Sequence, residues 1–141
     1  MIQELMLINQ AGIALFYHNF LSDEIMDDHQ SLASYFDVIC RFTKENFKES
    51  LKSLLLDNFV FFFYTHESHF HLVLKCDYKN FDKKTLELFS EIVIEAFLIK
   101  YFEILKDFNG EISLFKTFTD DIEEIINSNI DNFRKVLILE N

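Results

Sequence analysis

Apolar residues along this 141-residue chain recur first with the period of strands, then of a helix, then of strands again, and finally of two long helices. Leu5 to Ile8 is an apolar run short enough for a strand buried on both faces. Asn9-Gln10-Ala11-Gly12 supplies turn residues and Ile13 to Tyr17 resumes the strand pattern, so the chain opens with a β-hairpin. Gly12 suits a turn or close packing rather than a phosphate cradle, because no second glycine follows and no helix begins there. Asp27-Asp28-His29-Gln30 resembles a capping box, after which Leu32, Phe36, Ile39, Cys40 and Phe47 recur at helical spacing. Tyr35, Val38 and Phe42 lie on an adjoining face of the same helix. They either widen the core stripe or form a partner-binding face.

Three strands are expected next, over Ser53 to Leu56, Phe59 to Thr65, and His69 to Lys75. If the last two pair across Glu67-Ser68, then Phe59, Phe61, Phe63, Phe70, Leu72 and Leu74 share one face, while Val60, Phe62, Tyr64 and Val73 share the other. Both faces are apolar, so helices must cover both. Asp82 can cap the second helix, with Phe81 and Leu86 as a hydrophobic staple. Its buried stripe runs Leu86, Phe89, Val93, Phe97, Tyr101, Ile104 and Phe108, and Asn109-Gly110 ends it. Ile112 to Phe118 leads to Thr119, an N-cap followed by Asp120 and Asp121 in the first turn. Ile122, Ile125, Ile126, Ile130, Phe133 and Leu137 then mark the third helix, although Val136 to Leu139 fits a short strand equally well. The expected fold class is a three-layer α/β (α+β) sandwich forming one domain over residues 1–141.

Composition narrows the function classes. Half the residues are apolar, with 18 Phe and no Trp, so phenylalanine and aliphatic side chains must fill the core. Thirteen Lys and Arg against 24 Asp and Glu give a formal charge of -11, which repels nucleic acid, and the densest basic run, Lys79 to Lys84, is broken by Asn80, Phe81 and Asp82. Cys40 and Cys76 sit inside apolar segments as small hydrophobes. No signal peptide, lipidation site or 20-residue apolar span is visible, so the expected address is cytoplasmic without membrane insertion.

Candidate chemistry is sparse. His66, His69 and His71 are the one histidine cluster, and the hairpin register above would set all three on one face near the tip, where they could hold zinc or sense pH; otherwise they are polar loop residues. No nucleophile elbow, phosphate-binding loop or His-Glu-x-x-His segment occurs, and the pairs Asp27-Asp28, Asp120-Asp121 and Glu123-Glu124 fall at helix starts or on solvated faces. No enzyme activity, cofactor or metal is expected.

The segment from Leu5 to Phe16 (Leu-Met-Leu-Ile-Asn-Gln-Ala-Gly-Ile-Ala-Leu-Phe), an apolar strand, a short turn with Asn and Gly and a second apolar strand, resembles the start of the longin domain family. The segment Phe108-Asn-Gly-Glu-Ile-Ser-Leu-Phe115 is also similar to longin-like regulators of small GTPases. Related roadblock proteins usually begin with a helix, and this chain begins with a strand. The resemblance implies a longin/profilin-like domain ordered β-β-α-β-β-β-α-α, with a mixed, mainly antiparallel five-stranded sheet in the order 2-1-5-4-3. It places the first helix on one face and the other two on the opposite face. It further implies an adaptor in a homo- or heterodimer that pairs with another longin or roadblock domain, engages a small GTPase or a membrane-trafficking complex, and reaches membranes only through partners. Neither a coiled-coil segment nor an anchor follows the domain, so a vesicle-fusion role is not expected.

In that order the second and third strands are sheet edges, ready places for pairing. The candidate interaction surface is therefore the outward side of the first helix, with Tyr35, Val38 and Phe42, beside the edge run Leu54, Leu55 and Leu56. The alternative function is a small-molecule sensor with an apolar, Phe-lined cavity beneath the fourth and fifth strands.

Overall fold

The computed structural model describes residues 1–22, 28–78 and 81–137. β1 (Ile2–Ile8) and β2 (Ala14–Asn19) form the opening hairpin, α1 (His29–Phe47) follows, and β3 (Ser53–Leu55), β4 (Val60–Thr65) and β5 (His71–Cys76) complete the sheet. The order is β2-β1-β5-β4-β3 and all four pairings are antiparallel, which is the strand order the longin resemblance implies. After β5 come α2 (Lys83–Lys100), α3 (Phe102–Lys106), a 3-10 turn at Ile112–Phe115, α4 (Phe118–Ser128) and α5 (Ile130–Phe133).

Two apolar layers hold the sandwich together. On one face of the sheet Met6, Ile8, Phe63 and Val73 pack against Ala33, Phe36 and Cys40 of α1. On the other, Leu5, Leu7, Phe62, Leu72 and Leu74 meet Phe89, Val93 and Phe97 of α2, Phe118 and Ile122 of α4, and Phe133 of α5. Phe97 is fully buried, with the rings of Tyr101, Phe115 and Phe118 at 4.9, 5.3 and 5.1 Å. The Phe118 ring meets it edge-to-face and the other two are tilted, and aromatic pairs of this kind add to the burial of the rings themselves.

The β4–β5 register differs by one residue from the expected one. Phe62 pairs with Leu74 and Tyr64 with Leu72, so these share the α2 face with Phe70, while Phe61 and Phe63 lie with Lys75 and Val73 on the α1 face. The cause is the turn. His66 N–H donates to Phe70 O at 2.8 Å and His69 sits at φ 69°, closing a longer loop than Glu67-Ser68 alone. One residue of slip exchanges the two faces of a strand.

The C-terminal helices are also more broken than their periodicity suggests. α2 stops at Lys100 because Tyr101 turns into the core, 3% exposed, with its hydroxyl 2.9 Å from Thr117 Oγ1. The expected continuous run to Phe108 therefore splits, and Ile104 ends 39% exposed. The third predicted helix begins two residues early, at Phe118 with Thr117 in the cap position, so Thr119 lies inside it rather than capping it; Asp120 and Asp121 do occupy its first turn. It breaks at Asn129, whose side chain donates to Ile125 O at 2.9 Å. Val136 O then accepts from Ile2 N–H, tying the end of the described chain to β1; residues 138 and 139 of the suggested terminal strand lie outside the described residues.

Caps follow the same pattern. Asp82 accepts from Thr85 N–H as an N-cap should, at 3.3 Å. At α1 the N-cap position is Asp28, with no side-chain cap bond, and Asp27 lies outside the described residues. Gln30, expected in a capping box, works elsewhere. Its Nε2 donates to Ala14 O at 2.8 Å and its Oε1 accepts from Ala14 N–H at 2.9 Å, latching the start of the β2 edge.

Phe97→Ala is expected to destabilise the fold by about 3–5 kcal/mol, whereas Phe102→Ala, at a 57% exposed position, should change it by less than about 0.5 kcal/mol. Urea unfolding midpoints of the two variants check this.

Candidate functional site

α1 presents two different faces. The inner face buries Ala33, Phe36 and Cys40. The outer face carries Tyr35, Val38 and Phe42, which at spacings of three and four residues stack along about 10 Å of helix and are 52%, 60% and 57% exposed. Phe47 extends this row. Spacing assigned it to the core, but at the last helical residue, just before Lys48 turns the chain at φ 58°, it is 66% exposed with its ring 6.3 Å from that of Phe42.

The structure divides the other candidate run. Leu54 pairs with Phe61 and packs half-buried beside Ile39 and Leu51 in the α1 layer. Leu55, one residue on, points to the opposite face and is 68% exposed; Leu56 is 46% exposed, and its carbonyl accepts from the Tyr78 hydroxyl. Phe63 N–H donates to Lys52 O and Leu56 N–H to Phe59 O, so the backbone groups of the alternate residues, Ser53 and Leu55, are directed out of the open edge. The two sheet edges are thus unlike: β2 is latched at Ala14 by Gln30, and β3 is open.

What anchors α1 is a buried polar network that spacing did not reveal. Asp37, 5% exposed in the middle of the inner face, accepts from Arg41 one turn on, and its Oδ1 lies 3.4 Å from His71 Nε2. His71 Nδ1 in turn lies 2.9 Å from Thr65 Oγ1. The carboxylate also packs under the β1–β2 turn, where Gly12 holds φ +78° and a Cβ at that position would stand 3.2 Å from Asp37 Oδ2. Asn9 Oδ1 closes that turn by accepting from Ala11 and Ile13 N–H at 3.0 Å. The sequence signal for Asp37 was its Arg partner at i+4 beside a core Phe. These side chains floor a polar cleft of about 530 Å³ between α1 and the β4–β5 turn.

The three histidines all border that cleft without grouping as ligands. His71 faces α1, His66 turns to the other side and lies 2.7 Å from Glu95 of α2, and His69 occupies the left-handed turn position. Among the described residues no group of three His, Cys, Asp or Glu is placed to hold a metal ion. The two cysteines lie in opposite layers, each buried, with burial pushing each thiol up to about 12. Between α1 and the sheet the free space beside Phe36, Phe61 and Val73 is about 20 Å³, room for about one water rather than an apolar ligand. No described helix is long and apolar enough to cross a membrane.

This defines a three-layer α+β domain with longin-type strand order, an edge strand β3 whose Ser53 and Leu55 backbone groups face outward, and an apolar outer helix face. No family model matches the chain and no curated protein sequence does. Solved structures do match in part. A gliding protein, MglB from Thermus thermophilus, is 17% identical over 54% of this chain and 61% of its own, with a TM-score of 0.46. A structure described as MglB with tetrameric arrangement has the same identity and TM-score over 54% and 60%. The chain thus spans about three fifths of the length of these neighbours.

Burial holds the His71 imidazole below its ordinary range, opposed by the Asp37 charge. Because the folded pKa lies below the unfolded value near 6.5, the unfolded chain takes up this proton first as pH falls, and the folded state loses stability through that window. The stability advantage of the native chain over His71→Gln is therefore expected to shrink between about pH 7.5 and 5.5. A constant difference in denaturation midpoint would show that His71 does not titrate there.

Proposed function

We propose that this chain is a non-catalytic interaction module that pairs with a second longin- or roadblock-type domain, its own copy included, and in that form binds a small GTPase or a trafficking complex containing one. The observation that carries the reading is the outer face of α1. Tyr35, Val38, Phe42 and Phe47 form a row of large exposed apolar side chains on a helix whose inner face is already satisfied, and soluble proteins keep such patches for partners. The open β3 edge adds backbone donors and acceptors for strand pairing, and the latch on β2 favours β3 over the other edge. Charge supports self-pairing here. Arg41, Lys44, Lys48 and Lys52 balance Asp28, Asp37, Glu45 and Glu49, so two copies can approach without the repulsion that a net charge of -11 would otherwise impose. The small-GTPase partner rests on the longin resemblance of Leu5–Phe16 and Phe108–Phe115.

Light scattering after size exclusion is expected to give the mass of two chains, and Phe42→Asp, at an exposed position, to give one chain with unchanged circular dichroism. A mass of one chain at every concentration, with no small GTPase retained in either nucleotide state, would sink the proposal.

A further inference from the structure

The two helical layers differ in charge. The segment 28–53, which holds α1, is balanced, whereas residues 83–128, which hold α2, α3 and α4, contain ten Asp or Glu against five Lys. Part of that excess is arrayed along one side of α2. Glu87, Glu91 and Glu95 recur every four residues, all exposed. They flank Tyr64 of β4, where they reinforce the effect of burial in holding its hydroxyl protonated. Phe89 meets Phe133 of α5 and Lys100 meets Asp121 of α4 from the other side of the helix, so the acidic row faces away from those helices.

One step round α2 lies an apolar row, Leu88, Ile92, Ala96 and Ile99, at spacings of four, four and three residues. Leu88 is 43% and Ile99 76% exposed, and Phe102 continues the row beyond the break at Tyr101. From Leu88 to Ile99 the row is about 16 Å long, three helical turns.

We propose that this side of α2 docks a basic amphipathic helix of a partner protein, its apolar stripe on Leu88, Ile92 and Ile99 and its Lys or Arg side chains on Glu87, Glu91 and Glu95. The geometry matches on both counts, since apolar residues at i, i+4, i+8 and i+11 present a stripe of the same length and pitch, and one flank of basic residues falls on the acidic row. Charge selects the occupant. An acidic helix or an anionic membrane surface would meet carboxylates of its own sign. The site lies on the opposite face of the sheet from α1, so it goes beyond the pairing surface proposed above and leaves that surface free.

The intact protein is titrated at low salt with a fluorescent Leu/Lys amphipathic helical peptide of about 15 residues, four turns, and with its Leu/Glu counterpart. Anisotropy and methyl chemical shifts are the readouts. The Leu/Lys peptide is expected to bind with shift changes centred on Leu88, Ile92 and Ile99. Binding should weaken at least about tenfold in Ile99→Asp and in the double variant Glu87→Gln, Glu91→Gln, which leaves the Glu95–His66 contact intact. All three substitutions are at exposed positions, and circular dichroism confirms folding. No binding, equal binding of the Leu/Glu peptide, unchanged affinity in both variants, or shifts centred on Val38 and Leu55 would each overturn the proposal. The mass of the same variants by light scattering reports the α1 and β3 pairing separately, so the two readings fail independently.

Discussion

The register of β4 against β5 decides which side chains meet which helix, and most other contacts depend on it. With Phe62 opposite Leu74 and Phe63 opposite Val73, the α2 layer receives Phe62, Tyr64 and Leu72 and the α1 layer receives Phe61 and Phe63. The same register brings His71 opposite Thr65 on the α1 side, where Asp37 can reach it. A slip of one residue would present a different set of rings to α2 and aim His71 at the wrong helix. The turn enforces the choice, through the His66–Phe70 backbone bond and the left-handed conformation of His69, and the bond from His66 to Glu95 fastens the turn to α2.

This register also separates what the sequence disclosed from what it withheld. Element order, the need for helices on both faces, the Asn9–Gly12 turn and the Asp82 cap were all readable, because each depends on neighbours a few residues apart. The faces of β4 and β5 were not, because turn length at residues 66–70 is set by a single left-handed residue that no periodicity marks. The breaks at Tyr101 and Asn129 escaped for a related reason. Tyr101 continues the helical stripe in sequence, yet it is drawn inward by Phe97, Phe115 and Phe118, residues that only the fold assembles. On the candidate surface, Tyr35, Val38 and Phe42 were legible as a face beyond the core stripe and are exposed. Leu54 and Leu55 were grouped as one run although a strand must send them to opposite sides.

Asp37 links the buried network to that surface. A carboxylate in the inner stripe of a helix is costly unless it is paired. Here Arg41 neutralises it from the helix itself, and His71 and the Gly12 turn fix its position from the sheet. The partners come from α1, β5 and the β1–β2 turn, so they pin the rotation of α1 about its axis. Apolar packing alone tolerates rotation of a helix with a broad hydrophobic face, and such rotation would carry Tyr35, Val38 and Phe42 toward the sheet. The polar pin keeps them outward. The exposed row is in this sense a consequence of what is buried beneath it.

The edges and the layers then give the module a direction. Gln30 occupies the backbone of Ala14 at one edge, whereas at the other Ser53 and Leu55 keep theirs outward. A symmetric pairing at β3 alone would close after a single contact. Such a pairing would extend the sheet across a two-fold axis and set both α1 helices on one face of it. The acidic α2 helices of the two copies would then share the other face, where a basic partner would meet two docking rows. Two weak sites held at fixed separation bind a two-armed partner far more tightly than either site alone. Pairing at β3 and charge on α2 would thus reinforce each other, because a dimer of the proposed kind would turn one acidic row into a divalent surface.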